Sequence, residues 1–207
     1  MLSPTEVTAH RKPLASAGRP RQFARDEALQ KAIEVFWCKG FEATSLDDLL
    51  AGMGLSKSSF YACFGSKQAL YDEAIRAYAE RFLDVMGDLA KSAADPMDAV
   101  LAILATMADT EGGSQGCFIV NTVTELALHN PELTAYCQAH IARMTEVVAD
   151  LLVQSGFTPG LANDRAVAAL ALVFGLVTLR KAGFPAQRLG ELLAQLQPLL
   201  ALPGRSF

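Results

Sequence analysis

Apolar residues return every three or four positions along most of the chain. From Asp26 onward, Leu29, Ile33, Phe36 and Trp37 fall on one stripe. That period predicts a helix, which Gly40 closes. Ser45 predicts the start of a second helix. Its hydroxyl can cap free amides, and Asp47 and Asp48 meet the positive end of the helix dipole. Gly52-Met53-Gly54 breaks the chain and Ser56 caps a short third helix. Gly65-Ser66 breaks it again, and Ser66 opens a long fourth helix through Leu70, Ala74, Tyr78 and Phe82 to about Gly87.

Beyond about residue 95 the helical period continues. "EGGSQG" (Glu111–Gly116) reads as a loop, and Asn130-Pro131 as an N-cap followed by proline at the first helical position. "GFTPG" (Gly156–Gly160) ends that helix. An apolar helix then runs from Asn163 or Asp164 to Lys181, and a last one to about Ala201. No stretch alternates as a strand would. The expected fold class is all-α, with nine or so helices.

Composition and charge sharpen this picture. The chain has 207 residues, 51% hydrophobic and 19% charged, so it can bury a sizeable core. The net charge of −4 alone argues against a nucleic-acid partner, but its distribution does not. Residues 1–25 carry Arg11, Lys12, Arg19, Arg21 and Arg25 against Glu6, whereas residues 68–207 hold nine basic and fifteen acidic side chains. A basic arm on an acidic body follows, with residues 1–24, which hold three prolines, as a flexible segment. The four cysteines (Cys38, Cys63, Cys117 and Cys137) form no CxxC pair and no signal peptide precedes them. Neither a disulfide framework nor a metal or other cofactor is therefore expected, and the cytoplasm is the expected compartment. The most apolar run, Ala166–Leu179, is shorter than the roughly 18 residues that span a bilayer and reads as a buried helix, so no membrane partner is expected.

The second and third helices form a helix–turn–helix. Leu46, Leu49, Leu50, Met53, Leu55 and Phe60 supply contacts between them, and Gly54 takes the positive φ of the turn. Lys57, Ser58 and Ser59 are left exposed at the start of the second of the pair, where recognition-helix side chains reach base edges in a major groove. Tyr61 and Lys67 suit phosphate contacts. Arg19 and Arg21, either side of Pro20, suit a narrow minor groove.

"GFEATSLDDLLAGMGLSKSSFYACFGSKQALYDEAI" (Gly40–Ile75) resembles the DNA-binding domain of the TetR/AcrR transcriptional regulators. The match begins near Asp26 and runs to about Leu83. It rests on the Gly-Phe before the second helix, Thr44-Ser45, the Gly-Leu-Ser-Lys turn, the Tyr61…Phe64 spacing and Ser66-Lys67 followed by Leu70. Two positions depart from the family pattern. Leu50 stands where a small residue is usual, and Cys63 where histidine or tyrosine commonly serves as a phosphate contact. The resemblance implies DNA contacts from Arg19, Arg21, Thr44, Ser45, Lys57, Ser58, Ser59, Phe60, Tyr61 and Lys67. It divides the chain into the arm (1–24), a DNA-binding domain (25–70) and a helical effector-binding and dimerisation domain (71–207). The function it implies is that of a repressor releasing a palindromic double-stranded DNA operator when a small apolar or electrophilic effector binds.

Two features of the C-terminal part come from its own residues. The helices at about 164–181 and 186–201 are apolar enough to form a four-helix bundle between two subunits, giving a homodimer. "GCFIVNTVTELALHN" (Gly116–Asn130) resembles a Gly-Cys…Asn-Thr segment found in a subset of these regulators. It makes Cys117, Asn121, Thr122 and Glu125 effector or redox candidates. A helix N-terminus would favour a Cys117 thiolate, but no Lys, Arg or His lies within five residues, and a small buried hydrophobe is the usual fate of a free cysteine. The same three polar residues could instead bond across to the DNA-binding domain.

An enzyme built as a helical bundle is not expected, for the chain holds no HExxH, nucleotide loop or Ser/His/Asp set. The remaining alternative is a partner-binding or redox-sensing module without specific DNA recognition.

Overall fold

The computed structural model describes residues 19–109 and 114–201. Ten helices and no strand occur among them: α1 (Arg19–Lys39), α2 (Leu46–Met53), α3 (Lys57–Phe64), α4 (Lys67–Ser92), α5 (Pro96–Ala108), α6 (Phe118–Leu126), α7 (Pro131–Gln154), α8 (Pro159–Lys181), α9 (Ala186–Ala194) and α10 (Leu196–Leu199).

The boundaries follow from local chemistry. Ser45 forms a capping box with Asp48, while Ser56 and Ser66 each accept an amide from the third residue of their helices. Asn130 caps α7 with Pro131 behind it, where a missing N–H costs nothing. Gly54, at φ 68°, closes α2 in the left-handed conformation that only glycine adopts without strain.

Four expected boundaries move. α1 begins at Arg19 rather than Asp26, so Arg19 and Arg21 belong to its backbone, while residues 1–18 of the expected arm lie outside the described residues. Proline is tolerated there because first-turn amides have no intrahelical partner. Gly52 does not break α2. It lies inside the helix, where a Cβ would stand 2.6 Å from Val35 Cγ2 of α1, so the glycine permits close crossing. α8 begins at Pro159, not Asn163, which makes it 23 residues long and, by length and composition, apolar enough to cross a membrane. It instead buries Ala162, Ala166, Ala169, Leu170 and Val173 among α5 and α7 side chains. The last expected helix divides at Gln195 into α9 and α10.

Two cores result, and their division explains the positions of the sites. One gathers α1–α3 and α4 as far as Ala79, but it also takes Phe118, Ile119 and Leu126 of α6 with Leu133 and Cys137 of α7. The other joins Met86 of α4 to α5, α7, α8 and the last helices. α4 thus runs through both, and α6 packs with the helix–turn–helix side. The division at residue 70 expected from sequence falls inside a continuous helix.

Candidate DNA interface and effector cavity

α3 is eight residues long, too short to be stable by itself, and tertiary packing holds it. Phe60 is fully buried and Phe64 nearly so, with ring centroids 6.1 Å apart. That anchoring turns Lys57, Ser58, Ser59 and Tyr61 to the outside. Ser56 Oγ lies 3.0 Å from Ser58 Oγ and 2.9 Å from Ser59 Oγ, so the three hydroxyls form one exposed cluster. Ser45 is also exposed, its hydroxyl donating to Asp48 Oδ2 at 2.7 Å. Lys39, 2.5 Å from Asp48 Oδ1, and the Ser45 amide hold the Asp48 carboxyl well below the usual carboxylate range. Lys67 is half-buried, with Nζ 4.3 Å from the Phe41 ring centre.

Two of the expected contacts change role. Thr44 is 1% exposed and its hydroxyl donates to Gly40 O at 2.5 Å, closing the α1–α2 turn. Phe60 is core. Neither side chain faces a groove. Burial of a threonine methyl and of an aromatic ring supplies more free energy than their exposure would. The side chains of Arg19 and Arg21 lie outside the described residues.

A cavity of about 270 Å³ lies between the two cores, bounded by α1, α4, α5, α7, α8 and the start of α6. Trp37, Tyr78, Phe82 and Phe174 give it aromatic walls, and Cys117, His140 and Arg180 bring polar atoms to it. Of the four effector candidates only Cys117 reaches this space. Asn121 donates to Gln115 O at 2.8 Å and accepts from Lys181 Nζ at 2.9 Å, tying the loop before α6 to the end of α8. Thr122 is buried and shares a 2.9 Å hydrogen bond with Tyr71 of α4. Glu125 accepts from the Phe41 amide at 3.0 Å and the Glu42 amide at 2.8 Å, spanning from α6 to the α1–α2 turn. Trp37 Nε1 donates to Gly116 O at 3.1 Å, so α1 is bonded to the residue before Cys117. Spacing alone placed these four on one segment; only the packing shows that they point to four different places, the cavity, the end of α8, α4 and the α1–α2 turn. Trp37, Tyr78, His140 and Arg180 come from separate helices and share no local motif, and a lone helical His140 reads from sequence as a satisfied core or surface residue and not as a ligand.

Burial pushes the Cys117 thiol up, against the amides of Val120 and Ile119 and the Tyr78 hydroxyl, which favour the thiolate. Burial opposes the activation a helix terminus would give, which favours Cys117 as a buried structural thiol over a thiolate sensor. With Cys38 and Cys63 exposed and Cys137 buried, a disulfide reagent at neutral pH is expected to modify Cys38 and Cys63 first. Cys117 follows at least about tenfold more slowly, since the rate tracks thiolate fraction and access. Timed labelling followed by peptide mass mapping checks the order, and Cys117 labelling first would refute it.

The residues that carry the helix–turn–helix match the profile described as "Bacterial regulatory proteins, tetR family" over positions 28–74. Residues 93–192 match the profile "Transcriptional regulator LmrA/YxaF-like, C-terminal domain". Over 146 residues the chain is 32% identical to the HTH-type transcriptional repressor ComR of Escherichia coli (strain K12), covering 67% of this chain and 68% of that one. This chain belongs to the TetR family. It is a DNA-binding transcriptional regulator and not an enzyme. The HTH-type transcriptional regulator YezE of Bacillus subtilis (strain 168) is 32% identical over 123 residues, 58% of this chain and 63% of its own length. Among solved structures, a TetR regulator from Chloroflexus aurantiacus J-10-FL shares the fold at a TM-score of 0.77 and 24% identity, covering 87% of this chain and 95% of that one. A cysteine mutant of the TetR regulator CifR, complexed with 26 bp double-strand operator DNA, aligns at a TM-score of 0.67 and 27% identity, covering 85% of this chain and 95% of that one.

Proposed function

We propose that this TetR-family regulator is a dimeric repressor whose operator is read by α3 and released when a small molecule enters the aromatic cavity. The observation that carries the reading is the exposure of Lys57, Ser58, Ser59 and Tyr61 on a short helix whose opposite face, Phe60 and Phe64, is locked into the core. Serine hydroxyls and a lysine at the start of such a helix suit base edges, while Tyr61, Ser45 and Lys67 suit phosphates. Arg19 and Arg21 would extend the contact to the neighbouring minor groove. The word "repressor" in ComR's name supports control of this sign, and the operator duplex bound by CifR supports DNA as the partner.

Dimerisation is supported by α8. Val167, Ala168, Ala171, Leu172 and Gly175 form one exposed apolar face, with Val167 51% and Leu172 44% exposed. Exposed apolar stripes of this kind suit a partner subunit, and a palindrome needs two recognition helices about 34 Å apart.

The transmission route is α6. Its first residues border the cavity, Thr122 is bonded to α4, and Glu125 holds the α1–α2 turn. An effector that displaces Cys117 or Ile119 would therefore move the helix–turn–helix without passing through α4 alone. Coupling of about 1–3 kcal/mol is ordinary for two such sites.

The test is titration of the full chain against a duplex from upstream of its own gene, with a scrambled duplex as control. Sequence-selective affinity that falls steeply with salt, and that Lys57→Ala weakens by about 1–3 kcal/mol, is expected. Equal affinity for both duplexes at every salt concentration would leave a partner-binding module as the better reading.

A further inference from the structure

Arg180 and His140 carry the most telling chemistry of the cavity. Both are at least nine-tenths buried and both line it, yet Arg180 Nε and His140 Nδ1 have no hydrogen-bond partner. Buried polar atoms in folded proteins are almost always bonded, so two orphans on one cavity mark places where a ligand atom would be welcome. The bonds of Arg180 run through Nη1. Nη1 donates to Ala108 O at 2.9 Å and to Asp109 O, and lies 3.4 Å from the Asp109 carboxylate. The guanidinium thus closes the end of α5, and its charge is already opposed.

Charge and shape narrow the occupant. Among the described residues of the lining, Arg180 and Asp109 are the ones that carry full charges, and they oppose each other. Burial and the nearby Arg143 hold His140 below its usual range, against the pull of Glu80, so its ring is neutral at physiological pH. A carboxylate ligand would have to leave water for an aromatic cavity whose one arginine already faces the Asp109 carboxylate, which is costly. Trp37, Tyr78, Phe82 and Phe174 give flat walls that suit an aromatic ring. The volume of about 270 Å³ falls just under the roughly 300–1,000 Å³ of drug-sized sites, so the occupant is compact.

We infer that the effector is a compact, uncharged aromatic molecule carrying hydroxyl or carbonyl oxygens, which bond to Arg180 Nε and His140 Nδ1. An oxygen accepts from the arginine N–H, which can only donate, and a hydroxyl can donate to the imidazole lone pair. This rests on the cavity being the effector site.

Trp37 is the chain's only tryptophan and borders the cavity, so its fluorescence reports occupancy directly. Three ring compounds of similar outline separate the alternatives: 4-hydroxyacetophenone (uncharged, two oxygens), p-cymene (no oxygen) and 4-hydroxybenzoate (anionic). 4-Hydroxyacetophenone is expected to shift Trp37 emission saturably and to bind at least about tenfold more tightly than either of the others. His140→Leu should erase most of that preference. Arg180→Lys, which keeps a cation near α5 but removes Nε, should do the same, with thermal melts confirming that both variants fold. p-Cymene binding as tightly as the phenol would overturn the hydrogen-bonding class. Tightest binding by 4-hydroxybenzoate would overturn the uncharged class. In either case, release of operator by the winning compound leaves the effector reading standing. If none of the three alters Trp37 emission while operator binding is intact, the proposal and the effector role of the cavity fall together.

Discussion

Glu125→Ala is expected to lower the thermal midpoint and to blunt the response of operator binding to an effector. The carboxylate accepts two backbone amides, those of Phe41 and Glu42, across a sequence separation of more than eighty residues. Charge-assisted bonds of this type are stronger than neutral ones, and the Phe41 amide is partly shielded from water. Because the Glu42 amide is exposed and water can replace its partner, the loss is placed at about 1–3 kcal/mol. For a chain of this size each kcal/mol moves the midpoint by roughly 2–4 °C.

Coupling should suffer more than stability. α6 would still border the cavity, but its hold on the α1–α2 turn would be gone. Glu125→Gln keeps one acceptor and turns its amide nitrogen toward the other N–H, so an intermediate effect is expected. Gly40→Ala probes the same contact from the other side. Gly40 sits at φ 83°, and a Cβ there would stand 2.9 Å from Glu125 Oε2. Calorimetric melts and operator titrations with and without effector read both quantities. An unchanged midpoint with unchanged effector response in Glu125→Ala would remove α6 from the route.

Phe60→Ala is expected to cost about 3–5 kcal/mol, the usual range for emptying a buried phenylalanine site. The residue is fully buried, with its ring centre 5.3 Å from that of Tyr61 and 6.1 Å from that of Phe64. Loss of this anchor frees α3, and operator affinity should disappear with it. Phe60→Leu separates packing from contact. It should destabilise less and keep operator affinity close to that of the parent chain, because the ring does not reach the surface. Phe60→Leu losing affinity at unchanged stability would return Phe60 to the DNA-contact set.

What could be read from the sequence has a common physical character: it is local. A serine three residues before a free amide, a glycine where φ must be positive, and an apolar residue each helical turn act within a few residues. Hence Ser45, Ser56, Ser66, Asn130 and Gly54 stand where their chemistry put them. The helix–turn–helix was legible for the same reason, since its two helices and turn occupy one continuous stretch. α1 began earlier than its apolar stripe because helix formation needs no apolar face where the chain can simply continue in register.

The sites beyond that stretch depended on which side chains distant segments bring together. Thr44 and Phe60 were matched to DNA by position in a motif, but burial decides between groove and core, and burial is a property of the packed molecule. Cys117 sits at a helix N-terminus, as its sequence indicates, yet desolvation by burial outweighs the amides and the Tyr78 hydroxyl that favour the thiolate. Glu125 could be expected from its segment either to line a pocket or to bond across to the DNA-binding domain, and the choice rests on distant backbone amides, which every residue possesses. The sequence by itself determined an all-helical chain with a DNA-reading helix–turn–helix of the TetR type, because those signals are written in short-range spacing. Only the tertiary structure decided that α6 joins the helix–turn–helix core, that Glu125 holds its turn, and that Arg180 and His140 meet in an aromatic cavity, because those are long-range contacts chosen by packing.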